Sequence, residues 1–214
     1  MLKVYEIYQS IQGEGSQAGM PCVFIRLAGC PLRCSYCDTP QALSPDSGEL
    51  MSIDTIVDTV MGYLPSLILV TGGEPLAQPE CIALLQHLVE LRYHVQLETS
   101  GAFDITDTPP SVQKILDIKT PASGQEEQNL WGNLALLQEH DEIKFVLANR
   151  DDYLWCKKII EDRLPDTPAS ILLSPVYNML QASDLCAWML EDHLPVRLNM
   201  QLHKIIWGGD AVGV

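Results

Sequence analysis

The sequence predicts a single α/β domain folded as an incomplete β/α barrel. Three observations predict it. Short apolar, β-branched runs alternate with amphipathic stretches along the chain, a pattern that calls for parallel strands joined by helical crossovers. At 214 residues the chain falls short of a complete eight-fold barrel, which takes roughly 250. No composition shift, internal repeat or low-complexity tract divides it, so 1–214 read as one domain.

The elements follow in order. Met1-Leu2-Lys3 leads directly into a first strand, Val4–Tyr8, and Val23–Leu27 is the second. A helix over Ser52–Tyr63 starts at a Ser cap and repeats apolar residues at Ile53, Ile56, Val57 and Val60. Leu67–Thr71 is a continuous apolar run of buried-strand length. A helix over Pro79–Arg92 opens on Pro in its first turn and sets Ile82, Leu85, Leu88 and Val89 on one face. Strands over Val95–Thr99 and Lys114–Ile118 come next, then a helix over Leu130–Gln138. The chain continues with strand Ile143–Leu147, helix Asp151–Leu164, strand Ser170–Leu173, helix Ala182–His193 and a closing strand, Val196–Leu202. Ser44–Gly48, Asp104–Ser111 and Pro121–Gln125 are rich in turn formers and read as loops.

Composition narrows the function. A hydrophobic fraction of 47% excludes intrinsic disorder. Lys and Arg number 13 against 28 Asp and Glu, a formal charge of −15, and a surface this acidic repels phosphate backbones and anionic lipids. No basic cluster beyond Lys157-Lys158 offsets it, so neither a nucleic acid nor a membrane is expected as partner. Apolar runs are strand-length, far below the span of about 20 residues a membrane helix needs. The N-terminus lacks the build of a signal peptide, and the expected location is the cytoplasm. In that reducing compartment, seven cysteines with three crowded together point to metal binding rather than disulfides.

The crowded three are Cys30-Pro-Leu-Arg-Cys34-Ser-Tyr-Cys37. Three thiolates on one loop leave one iron of a 4Fe–4S cube open to an outside ligand, whereas zinc sites and simple electron-transfer clusters usually take four protein ligands. Read from spacing alone, a zinc loop completed by a distant residue stays open. Thr71-Gly72-Gly73-Glu74-Pro75 ends the apolar strand, and glycines there let backbone approach a ligand closely. A plain tight turn is the alternative. Arg26 interrupts an apolar strand and needs an anion: a substrate carboxylate held bidentately, or an Asp or Glu of the protein. Thr39 follows Cys37-Asp38 and offers a hard oxygen suited to Mg²⁺, or a turn-capping hydroxyl.

The cysteine spacing with Tyr36 before the third ligand, followed by Gly-Gly-Glu-Pro, resembles the radical S-adenosylmethionine (SAM) superfamily. With Gln12-Gly13-Glu14-Gly15, Phe24-Ile25-Arg26-Leu27, Cys37-Asp38-Thr39 and the terminal Gln201-Leu202-His203-Lys204, the chain resembles the 7-carboxy-7-deazaguanine synthase family within it. The resemblance implies a radical SAM type of partial barrel, a 4Fe–4S cluster on Cys30, Cys34 and Cys37, SAM chelated at the open iron, and Mg²⁺ on Thr39. It implies cleavage of SAM to a 5′-deoxyadenosyl radical that takes hydrogen from a pterin and later returns it. The reaction implied is conversion of 6-carboxy-5,6,7,8-tetrahydropterin to 7-carboxy-7-deazaguanine with loss of ammonia, a carbon–nitrogen lyase step toward queuosine. It places Ile11, Gln12, Gly13, Arg26 and Thr71 around the pterin. It places Tyr36, Cys37, Asp38, Gly73, Ser100, Asp117, Ile118 and Lys119 around SAM, although Asp117-Ile118-Lys119 replaces a Ser-Pro-Lys stretch of some relatives. No catalytic side chain is implied beyond these ligands. A homodimer and a flavodoxin or ferredoxin as electron donor are implied as well.

Remaining residues read as structural. Cys22, Cys81, Cys156 and Cys186 suit small core hydrophobes, and His87, His94, His140 and His193 suit the surface. Two rivals stay on the page: a glycyl-radical activase of the same superfamily, and a non-catalytic zinc or iron–sulfur module.

Overall fold

In the computed structural model, which describes residues 1–209, 211, 213 and 214, the chain opens with a hairpin. Strand β1 (Leu2–Ile11) pairs antiparallel with β2 (Pro21–Leu27), and a short β3 (Glu49–Met51) pairs antiparallel with the other edge of β1. Helix α1 (Ile53–Met61) follows, started by Ser52, whose hydroxyl accepts from the Thr55 N–H at 3.1 Å. Next come β4 (Leu67–Gly72), α2 (Cys81–Glu90), β5 (His94–Thr99), β6 (Gln113–Ile118) and β7 (Glu142–Leu147). The chain ends with α3 (Arg150–Arg163), β8 (Ser170–Pro175), α4 (Ala182–Glu191), β9 (Arg197–Leu198) and α5 (Leu202–Trp207).

These nine strands form one sheet in the order β3-β1-β2-β4-β5-β6-β7-β8-β9. From β2 onward every pairing is parallel. The order runs from β3 to β9 without a pairing between them, so the barrel is incomplete, in accord with the fold class the sequence predicts.

Alternation along the strands sorts side chains between two faces. Outward residues such as Val23, Ile25, Val70 and Leu97 meet α1 and α2 in one core, and Leu116, Ile143, Phe145 and Leu173 meet α3 and α4 in another. Each fully buried Leu or Ile there contributes about 1.5–3 kcal/mol. On the concave face, Cys22, Phe24, Leu67, Leu69 and Ile115 make a smaller apolar layer. A register shift between Val4 and Glu6 lets Val4 join the outer core while Glu6 turns inward to Arg26, as a β-bulge permits.

Three expectations need correction. Leu130–Gln138 is not an α-helix; Trp131–Leu136 forms 3-10 turns. Buried Asn133 explains it, because its amide donates to the Phe103 carbonyl at 2.8 Å and its oxygen accepts from the Ile105 N–H, tying the segment to a neighbouring loop. The closing strand shrinks to Arg197–Leu198, and Leu202-His203-Lys204 begins a helix. Asn199 ends the pairing by turning its side chain inward to Gly15 N–H at 2.7 Å. Pro79 precedes α2 rather than occupying its first turn. The small antiparallel β3 was not expected at all.

Candidate active site

A cavity of about 240 Å³ opens where the parallel strands end, the position at which barrel folds carry their chemistry. The cysteine loop leaves β2 and forms one wall. Gly29 N–H and Cys30 N–H donate to the carbonyls of Ala42 and Leu43 at 2.8 and 3.1 Å, anchoring its start. Ser35 fastens the middle, its N–H and hydroxyl donating to the carbonyls of Ser123 and Ala122. The Tyr36 hydroxyl lies 2.9 Å from both the Thr120 hydroxyl and the Val146 carbonyl. Burial pushes that phenol up to about 12, so it stays a neutral donor. Leu32, buried, pins the loop from below.

Cys30, Cys34 and Cys37 are free, partly exposed and line the same cavity. Burial raises the Cys30 and Cys34 thiols, an effect that the nearby Lys119 ammonium opposes at both. Among the described residues, no three His, Cys, Asp or Glu side chains converge on a single-ion site. A 4Fe–4S cube offers each cysteine its own iron, and three thiols on one loop facing one cavity fit such a cube.

The Gly-Gly-Glu-Pro turn meets the loop from β4. A Cβ on Gly72 would lie 2.2 Å from the Leu27 carbonyl oxygen, and one on Gly73 would lie 2.4 Å from that of Gly29. The close approach that needs glycine here is therefore to backbone at the root of the cysteine loop. Glu74 is fully buried, accepting from the Leu76 N–H and Thr99 hydroxyl at 2.9 and 2.8 Å and from the Ser100 N–H at 2.7 Å. It locks the ends of β4 and β5 together.

Across the cavity one wall holds a single ion pair, Arg26 with Glu6, which is the protein anion offered as the alternative for Arg26, and the other wall holds a cluster with carboxylates in excess. Arg26 uses Nε to hold Glu6 at 2.8 Å and Nη2 to reach the Tyr8 hydroxyl at 3.1 Å, leaving Nη1 for the cavity that it lines. On the far side, buried Lys144 of β7 meets Glu14 at 3.0 Å, Glu98 in direct contact, and Asp117 at 3.9 Å. Burial alone would lower the Lys144 ammonium, but these carboxylates outweigh it and hold it well above the ordinary lysine range. Lys119 pairs with Asp117 at 3.0 Å.

Helix α5 closes the rim. Lys204 and Gln201 both donate to Asp38 Oδ2, at 3.2 and 3.3 Å, and Gln201 also reaches Glu14. Burial would raise Asp38, yet Lys204 and Lys144 keep it below the usual carboxylate range. Gly13 makes room for His203, since a Cβ there would lie 2.3 Å from its Nδ1.

Of the positions singled out in the sequence, Ile11, Gln12, Gly13, Arg26 and Thr71 line the cavity, as do Tyr36, Cys37, Asp38 and Thr39. Gly73, Ser100, Asp117 and Lys119 line it as well. Ile118 does not: its side chain faces the core beneath α3 and α4, because it alternates with Asp117. Gln12 spends its side chain on Gln96 and the Glu14 N–H. Ser174 is buried and accepts from Asn199 at 2.7 Å. Lys144 and Gln201 were missed. The signal for Lys144 was present, since it breaks an apolar strand as Arg26 does.

The sequence profile of the radical SAM superfamily matches residues 24–117. The 7-carboxy-7-deazaguanine synthase of Chlorobaculum tepidum is 44% identical over 216 aligned positions, covering 100% of this chain and 97% of that protein. The 7-carboxy-7-deazaguanine synthase of Koribacter versatilis is 39% identical, with both chains fully covered. Among solved structures, QueE from Escherichia coli superposes with a TM-score of 0.78 at 26% identity, covering 94% of each chain. SuiB from Streptococcus suis, at 13% identity and a TM-score of 0.56 over 81% of this chain and 47% of its own, shares the fold alone.

Proposed function

The chain belongs to the 7-carboxy-7-deazaguanine synthase family of the radical SAM superfamily, and on that premise we propose that it converts 6-carboxy-5,6,7,8-tetrahydropterin to 7-carboxy-7-deazaguanine with loss of ammonia. One observation carries the reading: a single cavity joins the three-cysteine loop to the Arg26 guanidinium, braced by Glu6 and Tyr8, and to a facing cluster in which Glu14, Glu98 and Asp117 outnumber Lys119 and Lys144. A carboxylated heterocycle with N–H donors at its other end is the complement of that cavity.

A 4Fe–4S cluster on Cys30, Cys34 and Cys37, with SAM at its open iron, supplies reversible hydrogen abstraction from a substrate carbon. The rest is work for this chain's residues. Arg26, already oriented by Glu6 and Tyr8, presents Nη1 to the substrate carboxylate. Thr71 and the Ile11–Gly13 turn shape the pterin slot, and the buried Gln12–Gln96 bond of 2.6 Å keeps that turn in place. Tyr36, Asp38, Gly73, Ser100, Asp117 and Lys119 flank SAM, and Ile118 contributes through its backbone. Thr39, beside Asp38, would offer its hydroxyl oxygen to Mg²⁺, which would supply electrostatic stabilisation of developing charge. Helix α5, tied to Asp38, limits water entry above the site.

No described helix is long and apolar enough to cross a membrane, and we place the enzyme in the cytoplasm. It works over 1–214 as a single domain, as a homodimer, with a flavodoxin or ferredoxin supplying electrons. Anaerobic incubation with SAM, a reductant, Mg²⁺ and the carboxypterin tests the function by mass analysis. The expected product is 7-carboxy-7-deazaguanine with no net loss of SAM. Unchanged pterin with a properly reconstituted cluster would overturn the reading.

A further inference from the structure

Lys144 stands where a lysine is costly. Its side chain is only 6% exposed, and removing an ammonium from water costs several kcal/mol unless partners compensate. The compensation comes from three separate parts of the chain: Glu14 on the β1–β2 turn, Glu98 on β5 and Asp117 on β6. Three carboxylates thus share two ammoniums, Lys144 and Lys119, and one negative charge remains in excess. Acceptor capacity remains as well: Asp117 Oδ1 is buried with no hydrogen-bond partner. Glu98 has only a 3.3 Å bond from the Thr71 hydroxyl on its second oxygen. A buried acceptor is favoured when a donor reaches it, so this wall has the chemistry to receive N–H groups of a ligand.

We propose that Lys144 is the positioning residue of the substrate slot: its ammonium draws Glu14 and Glu98 together and presents them, as anions, to the N–H donor edge of the heterocycle whose carboxylate Arg26 holds. This inference rests on the proposed function and deepens it. The two ends of the slot then impose one direction of binding, with the substrate's anionic end at β2 and its donor end at β5 to β7. Register fixes the arrangement, since Lys144 pairs with Asp117 across β6 and β7. From outside the sheet the same cluster is faced by Asn199 at 3.1 Å and Gln201 at 3.0 Å on Glu14, and by His203 and Asp38 at longer range. None of these can replace an ammonium as the counter-charge.

The test is carboxypterin affinity in the reconstituted holoenzyme, read beside SAM affinity and the double variant Lys144→Met with Glu98→Gln. Lys144→Met should weaken pterin binding about tenfold or more while SAM binding stays within about twofold. Adding Glu98→Gln in that background should restore nothing, because it also removes an acceptor of the substrate's donor edge, and recovered pterin affinity in the double variant would overturn the assignment. Lys144→Arg, which keeps the cation, should bind pterin within a few-fold of wild type and covers the case in which the Met variant fails to fold. Unchanged pterin affinity in Lys144→Met, or an equal loss in Lys144→Arg, would overturn the assignment. Failure of the wild-type protein to bind pterin at all would instead strike the proposed function.

Discussion

Two buried lysines sit on neighbouring strands, and only one belongs to a site. Lys114, on the outer face at the start of β6, meets Asp141 at 3.0 Å, with side chains 4% and 0% exposed. Asp141 also accepts from the Lys114 and Gln138 N–H groups at 2.7 and 2.8 Å. The pair is balanced and satisfied, with one carboxylate for one ammonium. Lys144, on the inner face of β7, is outnumbered by carboxylates and lies open to the cavity. Burial and charge alone do not distinguish the two. Between these two, place and stoichiometry do: the Lys114 pair is closed and lies away from the cavity, while the Lys144 cluster lines it with carboxylates in excess.

The same contrast runs through the barrel interior. Its floor holds an amide ladder, with Gln12 donating to Gln96 at 2.6 Å, Gln96 to Gln113 at 2.9 Å, and Gln113 to Ser16 at 3.2 Å, beside the buried carboxylate of Glu142, which accepts from the Ser16 N–H at 2.7 Å. Its mouth carries the thiols and the unbalanced charges. Substitutions at the mouth should therefore cost function, and substitutions at the floor or in the closed pair should cost stability.

The largest effect falls on the mouth. Cys34→Ala should abolish cluster absorbance and turnover together while the thermal transition of the cluster-free protein moves little. Cluster-dependent activity surviving in that variant would break the assignment of the loop. In the closed pair, Lys114→Met strands a buried Asp141 and should cost about 3–5 kcal/mol in denaturant unfolding. Turnover per folded molecule should be unchanged, and a selective loss of turnover would erase the distinction between the two lysines. Arg26→Ala should weaken pterin binding roughly tenfold or more and leave SAM binding intact.

Smaller effects sharpen the floor. Gln96→Leu leaves Gln12 and Gln113 without their shared partner and should cost about 1–3 kcal/mol; chemical denaturation reads it, and a neutral result would mean that water replaces the ladder. Thr39→Ala should raise the Mg²⁺ concentration for half-maximal turnover several-fold, and an identical metal titration would remove Thr39 from that role.

How much of this was legible depended on how far apart the cooperating residues lie in sequence. The cysteine loop occupies eight consecutive residues, Cys30 to Cys37, and the strand before it, Val23–Leu27, is apolar except at Arg26, so both could be read locally. Arg26 was conspicuous because it interrupts such a run. Its partners were less so, since Glu6 reaches it only through a bulge in β1. Lys144 shows the same interruption, but its meaning depends on Glu14, 130 residues away, and Glu98, 46 residues away, which only the sheet register brings together. The segment Leu130–Gln138 misled because its apolar spacing is helical, while Asn133 has stronger bonds to make with the Phe103–Ile105 loop. At the chain's end, an apolar alternation suggested a strand, and Asn199 turned it inward toward Gly15, Glu14 and Ser174.

The most direct measurement compares carboxypterin binding, in the presence of SAM and Mg²⁺, between Lys144→Met and Lys114→Met holoenzymes. The unbalanced cluster predicts a loss of about tenfold or more in the first and wild-type affinity for the folded fraction of the second. Equal losses in both, or a loss in Lys114→Met alone, would contradict it.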